Sequence, residues 1–193
     1  MQVYLADQYK HKDKISLYSQ ELKANGINVC SSWIEEPHGA DATLKDISKF
    51  NKQAYVNRDI AEIGDCDIFV LFTVDPSIPT VRGGRHFESG YAYGQGKPVL
   101  IVGPKENLFH YLNDIRSVDT WTEAKELLLK VAKMIPENYD STYFQPIPLK
   151  NWLKCTQLEL RNTQTETGKK EYNGAESSPP CLDILGSGGV ERN

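Results

Sequence analysis

A chain of 193 residues, 39% of them hydrophobic and 25% charged, has the composition of an ordinary soluble globular protein and is long enough to bury one proper core. Its net charge of −4 argues against a nucleic-acid polymer as partner, which calls for a basic excess, but not against one small anionic ligand in a local pocket. No stretch approaches the roughly 20 apolar residues of a bilayer span, and Met1–Ala6 runs into charge at Asp7 and Lys10 instead of a signal-peptide core, so a cytoplasmic protein with no membrane partner is expected.

In chain order, Gln2–Ala6 is an apolar run ending in a polar turn at Asp7-Gln8, which predicts a first strand. Ile15, Tyr18 and Leu22 share one helical face from about His11, with Gly26 as the stop signal. Ile27–Ser31 reads as a second strand, and Trp33–Ala42, holding Pro37 and Gly39 without any period, as a loop. From Thr43 to about Ile63 the pattern is helical, as one helix or two with a break. Asp67–Thr73 is continuously apolar after its first residue, which suits a strand buried on both faces. Gly83-Gly84 leads into a helix through Gln95, and Pro98–Val102 is a further buried strand closed by Gly103-Pro104. Thr120 and Glu123 make a capping box ahead of the stripe Ala124, Leu127, Leu128 and Val131.

Strands alternating with helices predict an α/β fold, a Rossmann-like or flavodoxin-like open parallel sheet with helices on both faces. Ligands of such sheets sit outside the carboxyl ends of the strands, a rim that takes in Tyr4–Asp7, Ser31–Trp33, Thr73–Asp75 and Gly103. The domain is expected to span 1–136. A C-terminal extension over 137–160, with Tyr143, Phe144 and Trp152, would pack on it, and the Thr-, Glu-, Gly- and Ser-rich tail 161–193 would be disordered. The four cysteines, Cys30, Cys66, Cys155 and Cys181, are scattered and read as free thiols.

The most informative segment is Gly83-Gly84-Arg85-His86-Phe87-Glu88-Ser89-Gly90-Tyr91-Ala92. Two glycines let backbone approach a ligand, the opening helix offers unpaired N–H groups, and a carboxylate in its first turn is favoured as the anion, as a nucleophile requires. By residue chemistry alone, Glu88 could equally cap the helix while the glycines make a turn. No G-x-G-x-x-G fingerprint follows the first strand and no Walker lysine pattern occurs, so no cofactor is expected. His11, His38, His86 and His110 lack metal-ligand spacing, so no metal is expected either. Asp59, taken alone, is a helix-surface acid.

Together these residues resemble the nucleoside 2-deoxyribosyltransferases and their nucleotide N-hydrolase relatives. The likeness runs from Val3 to about Trp121 and rests on Tyr4 in the first strand, Asp59 ahead of an acid-led apolar strand, Glu88 in Glu-x-Gly-Tyr-Ala, and Gly96-Lys97-Pro98-Val99. The resemblance implies that Glu88 attacks the anomeric carbon, that Asp59 helps protonate the departing base, and that the Tyr4 hydroxyl holds Glu88. It further implies a nucleoside or nucleotide as small-molecule partner and a homo-oligomer. The chain departs from the pattern where the transferases carry an acid about six residues before the nucleophile, for Arg82 stands there with Arg85 and His86 close by. Cationic groups beside a Gly-Gly turn suit a 5′-phosphate, so Arg82, Gly84, Arg85 and His86 join Asp7 and Trp33 of the strand-end rim as the substrate-binding candidates. Three functions stay open: deoxyribosyl transfer between bases, hydrolysis of a (deoxy)nucleoside 5′-monophosphate, and non-catalytic sensing of a nucleotide-derived ligand.

Overall fold

Five short apolar runs assemble into one parallel sheet. The strands are β1 (Gln2–Ala6), β2 (Asn28–Val29), β3 (Ile68–Phe72), β4 (Val99–Val102) and β5 (Arg116–Val118), and the helices are α1 (Lys12–Ala24), α2 (Lys49–Asp65), α3 (Gly83–Gly94) and α4 (Trp121–Met134). Strand order is β2-β1-β3-β4-β5 with every pairing parallel, the doubly wound order whose switch point lies between β1 and β3. This computed structural model describes residues 1–39, 41, 43 and 45–134; the extension 137–160 and the tail 161–193 lie outside the described residues.

Every residue of β3 and β4 is buried, as a strand covered on both faces must be. The two faces can be told apart by their aromatic contacts. Tyr4 and Phe69 are register partners with stacked rings, centroids 5.5 Å apart, and Phe69 alternates in direction with Phe72, three residues on. Phe72 in turn stacks on Tyr18 of α1, whose ring stacks on Trp121 of α4 at 4.4 Å. Helices α1 and α4 therefore share the Phe72 face. Helices α2 and α3 pack on each other over the Tyr4 face, as right-handed crossovers demand.

Several boundaries move from the sequence reading for local reasons. Helix α2 starts at Lys49, not near Thr43, because the Ser48 hydroxyl caps Asn51 N–H at 3.1 Å, and it continues to Asp65. The stretch expected to be pure loop after Ser31 contains a 3-10 turn over Ser32–Glu35 with Trp33 and Ile34 buried. Strand β2 has two residues only. The capping box holds, with Thr120 N–H donating to Glu123 at 2.9 Å. Strand β5 has no apolar run to announce it and was not expected; it exists by pairing with β4. Gly103 closes β4 at φ +113, and a Cβ there would stand 2.8 Å from the Thr73 carbonyl oxygen, so only glycine lets the ends of β3 and β4 come so near.

The connection from β4 to β5 carries only the 3-10 turn Leu108–Tyr111 where parallel strands usually take a helix. It leaves a groove of about 830 Å³ between α3 and that connection, lined by Phe87, Tyr93, Val99, Phe109, Leu112 and Ile115 among others.

Candidate active site

Tyr4, Asp59 and Glu88 come from three separate elements, β1, α2 and α3, and meet over the β1–β3 switch point. Tyr4 is fully buried; its hydroxyl has no hydrogen-bond partner of regular geometry, but it lies against Glu88 and stabilises that carboxylate as an anion. Burial, followed by the charges of Glu88 and Asp59, raises the Tyr4 phenol well above its ordinary value, so it stays a proton donor. Glu88 makes no ion pair among the described residues.

The protonation state of Glu88 corrects the expectation from sequence. Glu88 sits in the second turn of α3, where the unpaired N–H groups of the helix start no longer reach it, and the first turn holds no acid. Burial, then the negative charge of Asp59, lifts its carboxyl from 4.5 to about 7, against the Tyr4 hydroxyl and the Arg85 charge. Asp59 is likewise raised from 3.8 to about 6, by burial first, against the pull of Arg58. Between about pH 6 and about pH 7 the two acids therefore share about one proton, held mainly by Glu88.

Around this pair lies a network that the sequence did not announce. Arg58 donates through Nη2 to Glu36 at 2.6 Å and to Asp59 at 2.7 Å, and through Nε to Asp59 at 3.1 Å. Glu62, one turn further along α2, accepts from the Ser32 N–H at 3.1 Å and from the Ser32 hydroxyl. Asp59 is thus no loosely solvated surface acid: it is anchored by its sequence neighbour, and its charge reaches Glu88. The adjacency of Arg58 and Asp59 was visible in the chain, and so was the one-turn spacing to Glu62. Nothing in the local sequence pointed to Glu36, which the turn after β2 delivers. Four carboxylates against one close guanidinium make this end of the site electronegative, and a group developing positive charge is stabilised there.

The cationic candidates lie elsewhere. Glu106, whose side chain is fully buried, accepts from Arg82 Nε at 3.0 Å, Arg85 Nη2 at 2.7 Å, His86 Nε2 at 2.8 Å and Val74 N–H at 3.0 Å. Arg82 spends its remaining donors on the carbonyls of Thr80, Asp75 and Ile78. Asp7 is also enclosed, paired with His11 at 2.9 Å and Lys14 at 3.2 Å. Trp33 is buried and donates its indole N–H to the Leu5 carbonyl at 2.8 Å, so it has no polar group left for a ligand. Gly84 is exposed at the start of α3, with open space where a Cβ would stand. Glu106, the centre of this cluster, escaped sequence reading because a lone glutamate after a strand carries no spacing signal.

Among the described residues no group of three or more His, Cys, Asp or Glu is placed to hold a metal ion, and no helix is long and apolar enough to cross a membrane. No family profile matches the chain, and no curated protein matches it. Solved structures similar to it include the following two. One is the CMP N-glycosidase BcmB of Clostridium botulinum, 23% identical, with a TM-score of 0.39 over 68% of this chain and 99% of that one. The other is a 2-deoxyribosyltransferase from Bacillus psychrosaccharolyticus, 21% identical, with a TM-score of 0.45 over 74% of this chain and 94% of that one.

Proposed function

We propose that this chain is an enzyme that cleaves or transfers the N-glycosidic bond of a (deoxy)nucleoside or nucleotide through a glycosyl ester on Glu88. The observation that carries the reading is the convergence of Tyr4, Asp59 and Glu88 from three elements, with the Glu88 carboxylate outside any ion pair among the described residues. A structural carboxylate buried there would be paired, since an unpaired buried charge is costly.

In this reading a Glu88 oxygen attacks C1′ as the bond from C1′ to the base nitrogen breaks. The electron pair leaves with the base, and Asp59 supplies the proton that neutralises it. The sugar passes through an oxocarbenium-like state, and the surplus of carboxylates at Glu88, Asp59, Glu62 and Glu36 favours that positive charge. The Tyr4 hydroxyl, still protonated, holds Glu88 in line. A second base or a water molecule then attacks C1′, gives its proton to the Asp59 carboxylate, and frees Glu88 as its C1′–O ester bond breaks. The productive arrangement has Glu88 ionised and Asp59 protonated, the less populated of the two placements of their shared proton.

Trapping with a 2-fluoro-2-deoxy nucleoside, followed by mass spectrometry of the digested protein, tests the chemistry. A sugar adduct on the peptide bearing Glu88 is the expected result. An unlabelled Glu88 in protein that turns over the parent nucleoside removes it. Supplying a second free base separates transfer from hydrolysis, because only transfer yields the exchanged nucleoside. A cytoplasmic homo-oligomer completes the reading; exposed Phe87, Leu108, Phe109 and Tyr111 support it as apolar surface available for self-association, and sedimentation analysis checks it.

A further inference from the structure

Both hydrogen bonds that Arg58 gives to Asp59 land on the same oxygen. Nε and Nη2 reach Oδ1 at 3.1 and 2.7 Å, while Oδ2 makes no hydrogen bond among the described residues. The Asp59 side chain is 21% exposed, so Oδ2 is not closed off as an orphaned buried atom. An oxygen that accepts two N–H donors has both lone pairs occupied and cannot take a proton without losing one of the donors. A protonated Asp59 therefore carries its hydrogen on Oδ2, the oxygen left open to a ligand.

The guanidinium that makes this choice is itself fixed on several sides. Its Nη2 also donates to Glu36 Oε1 at 2.6 Å, its Nε lies 4.0 Å from Glu62 Oε1, and its Cζ sits 5.0 Å from the centre of the Tyr55 ring, one turn back along α2. Glu36 is 8% exposed, and Arg58 is the one ion-pair partner of its carboxylate among the described residues. A guanidinium with only Asp59 for company would hold that acid ionised and idle as a proton donor. The charged and titratable groups around Asp59 are Arg58 and Glu62 on α2, Glu36 from the turn after β2, Glu88 from α3 and the Tyr4 phenol from β1. Burial first, then Glu62 and Glu36, raise its carboxyl to about 6 against the pull of Arg58.

We propose that Arg58 is the positioning residue of the acid step: it reserves Asp59 Oδ1 for itself, keeps the transferable proton on Oδ2, and is held in check by Glu36. The proposal rests on the reading of Asp59 as the acid that protonates the departing base. In that step the Oδ2–H bond breaks, and the proton joins the base nitrogen that has taken the electron pair of the C1′–N bond. Arg58 then steadies the new Asp59 carboxylate through the same two hydrogen bonds, which are stronger to an anion. When a second base or water attacks C1′, Oδ2 takes up the incoming proton. Arg58 and Glu36 end the cycle as they began it.

Leaving groups that differ in their need for a proton test the assignment. One set is the natural 2′-deoxynucleosides and their 5′-monophosphates. The other is 4-nitrophenyl 2-deoxyriboside, free and 5-phosphorylated, whose leaving group departs as a stable anion. Arg58→Gln should lower kcat on the natural set about a hundredfold with KM little changed, and on the nitrophenyl set less than about threefold. Arg58→Lys, which keeps the charge without the two-pronged grip, should fall between. Glu36→Gln should keep the grip but bring the alkaline limb of the pH profile down by about one pH unit. Should Arg58→Gln fail to fold, the double variant Arg58→Gln, Glu36→Gln removes both charges together and should show the same split between leaving groups. Loss on both sets alike, or on neither, overturns the proposal, as does a Glu36→Gln profile unmoved from wild type. Wild type inactive on both sets removes the reaction and the proposal with it. Failure of the glycosyl-ester reading alone is visible separately: Glu88→Gln would then cleave the nitrophenyl set as fast as wild type, whereas failure at Arg58 leaves Glu88→Gln inactive on it.

Discussion

Glu88, half-buried within helix α3, and Glu106, whose side chain is fully buried beyond β4, have surroundings that differ in every respect that matters. Burial alone would raise Glu106, yet the Val74 N–H, His86, Arg85 and Arg82 converge on it and hold its carboxyl below the usual range. Glu88 has a tyrosine hydroxyl and a second acid for company, and its carboxyl is raised to about 7. One carboxylate is fully satisfied and serves as a joint between α3 and the end of β4. The other keeps its charge under stress, which costs stability and leaves a group that reaction can relieve. Burial therefore tells little about role until the partners are counted.

Substitutions can break this contrast, and the largest effect is expected at Glu88. Glu88→Gln should lower kcat for N-glycoside cleavage by about four orders of magnitude, because the ester can no longer form. A residual rate within about tenfold of wild type would place the nucleophile elsewhere. Asp59→Asn should cost about a hundred- to a thousandfold and reshape the pH profile. With values of about 7 at Glu88 and about 6 at Asp59, the wild-type rate should fall on the acid side as Glu88 loses its charge and on the alkaline side as the acid is lost. In Asp59→Asn the alkaline limb should vanish and the acid limb should move down, since the neighbouring charge is gone.

Glu106→Gln should take the close counter-charge from buried Arg85 and half-buried Arg82 and destabilise the fold by about 3 kcal/mol in chemical denaturation. Glu88→Gln should do the reverse at alkaline pH. The Glu88 carboxyl binds its proton more tightly folded than unfolded, so its contribution to stability is fully present below about 4.5 and is lost as pH rises through about 7. The amide has no such loss, so the variant should exceed wild type by about 2 kcal/mol at pH 8 and match it near pH 4. If both glutamine variants shift stability alike, the distinction between the two carboxylates fails. The smallest effect is expected from Tyr4→Phe, about tenfold in kcat with little change in KM, because one hydroxyl positions the nucleophile without itself reacting.

Much of this was written locally in the chain. Continuous apolar runs gave β1, β3 and β4, the 3.6-residue stripes gave α1 and α4, and Thr120 with Glu123 marked a helix start, because each depends on neighbours within a turn or a strand. The alternation of these elements sufficed for a parallel α/β sheet. Strand β5 was illegible, since Arg116–Val118 is extended only by virtue of β4 beside it. At the site, residue type and spacing singled out Tyr4, Asp59 and Glu88 through resemblance. Only the tertiary structure decided their charges and company: that Asp59 lies close enough to Glu88 to raise it, that Arg82 is consumed by backbone carbonyls, and that Glu106 gathers Arg85 and His86. The reason is physical. Secondary structure is set by contacts a few residues apart, whereas a carboxyl's affinity for its proton depends on burial and on charges brought from far along the chain.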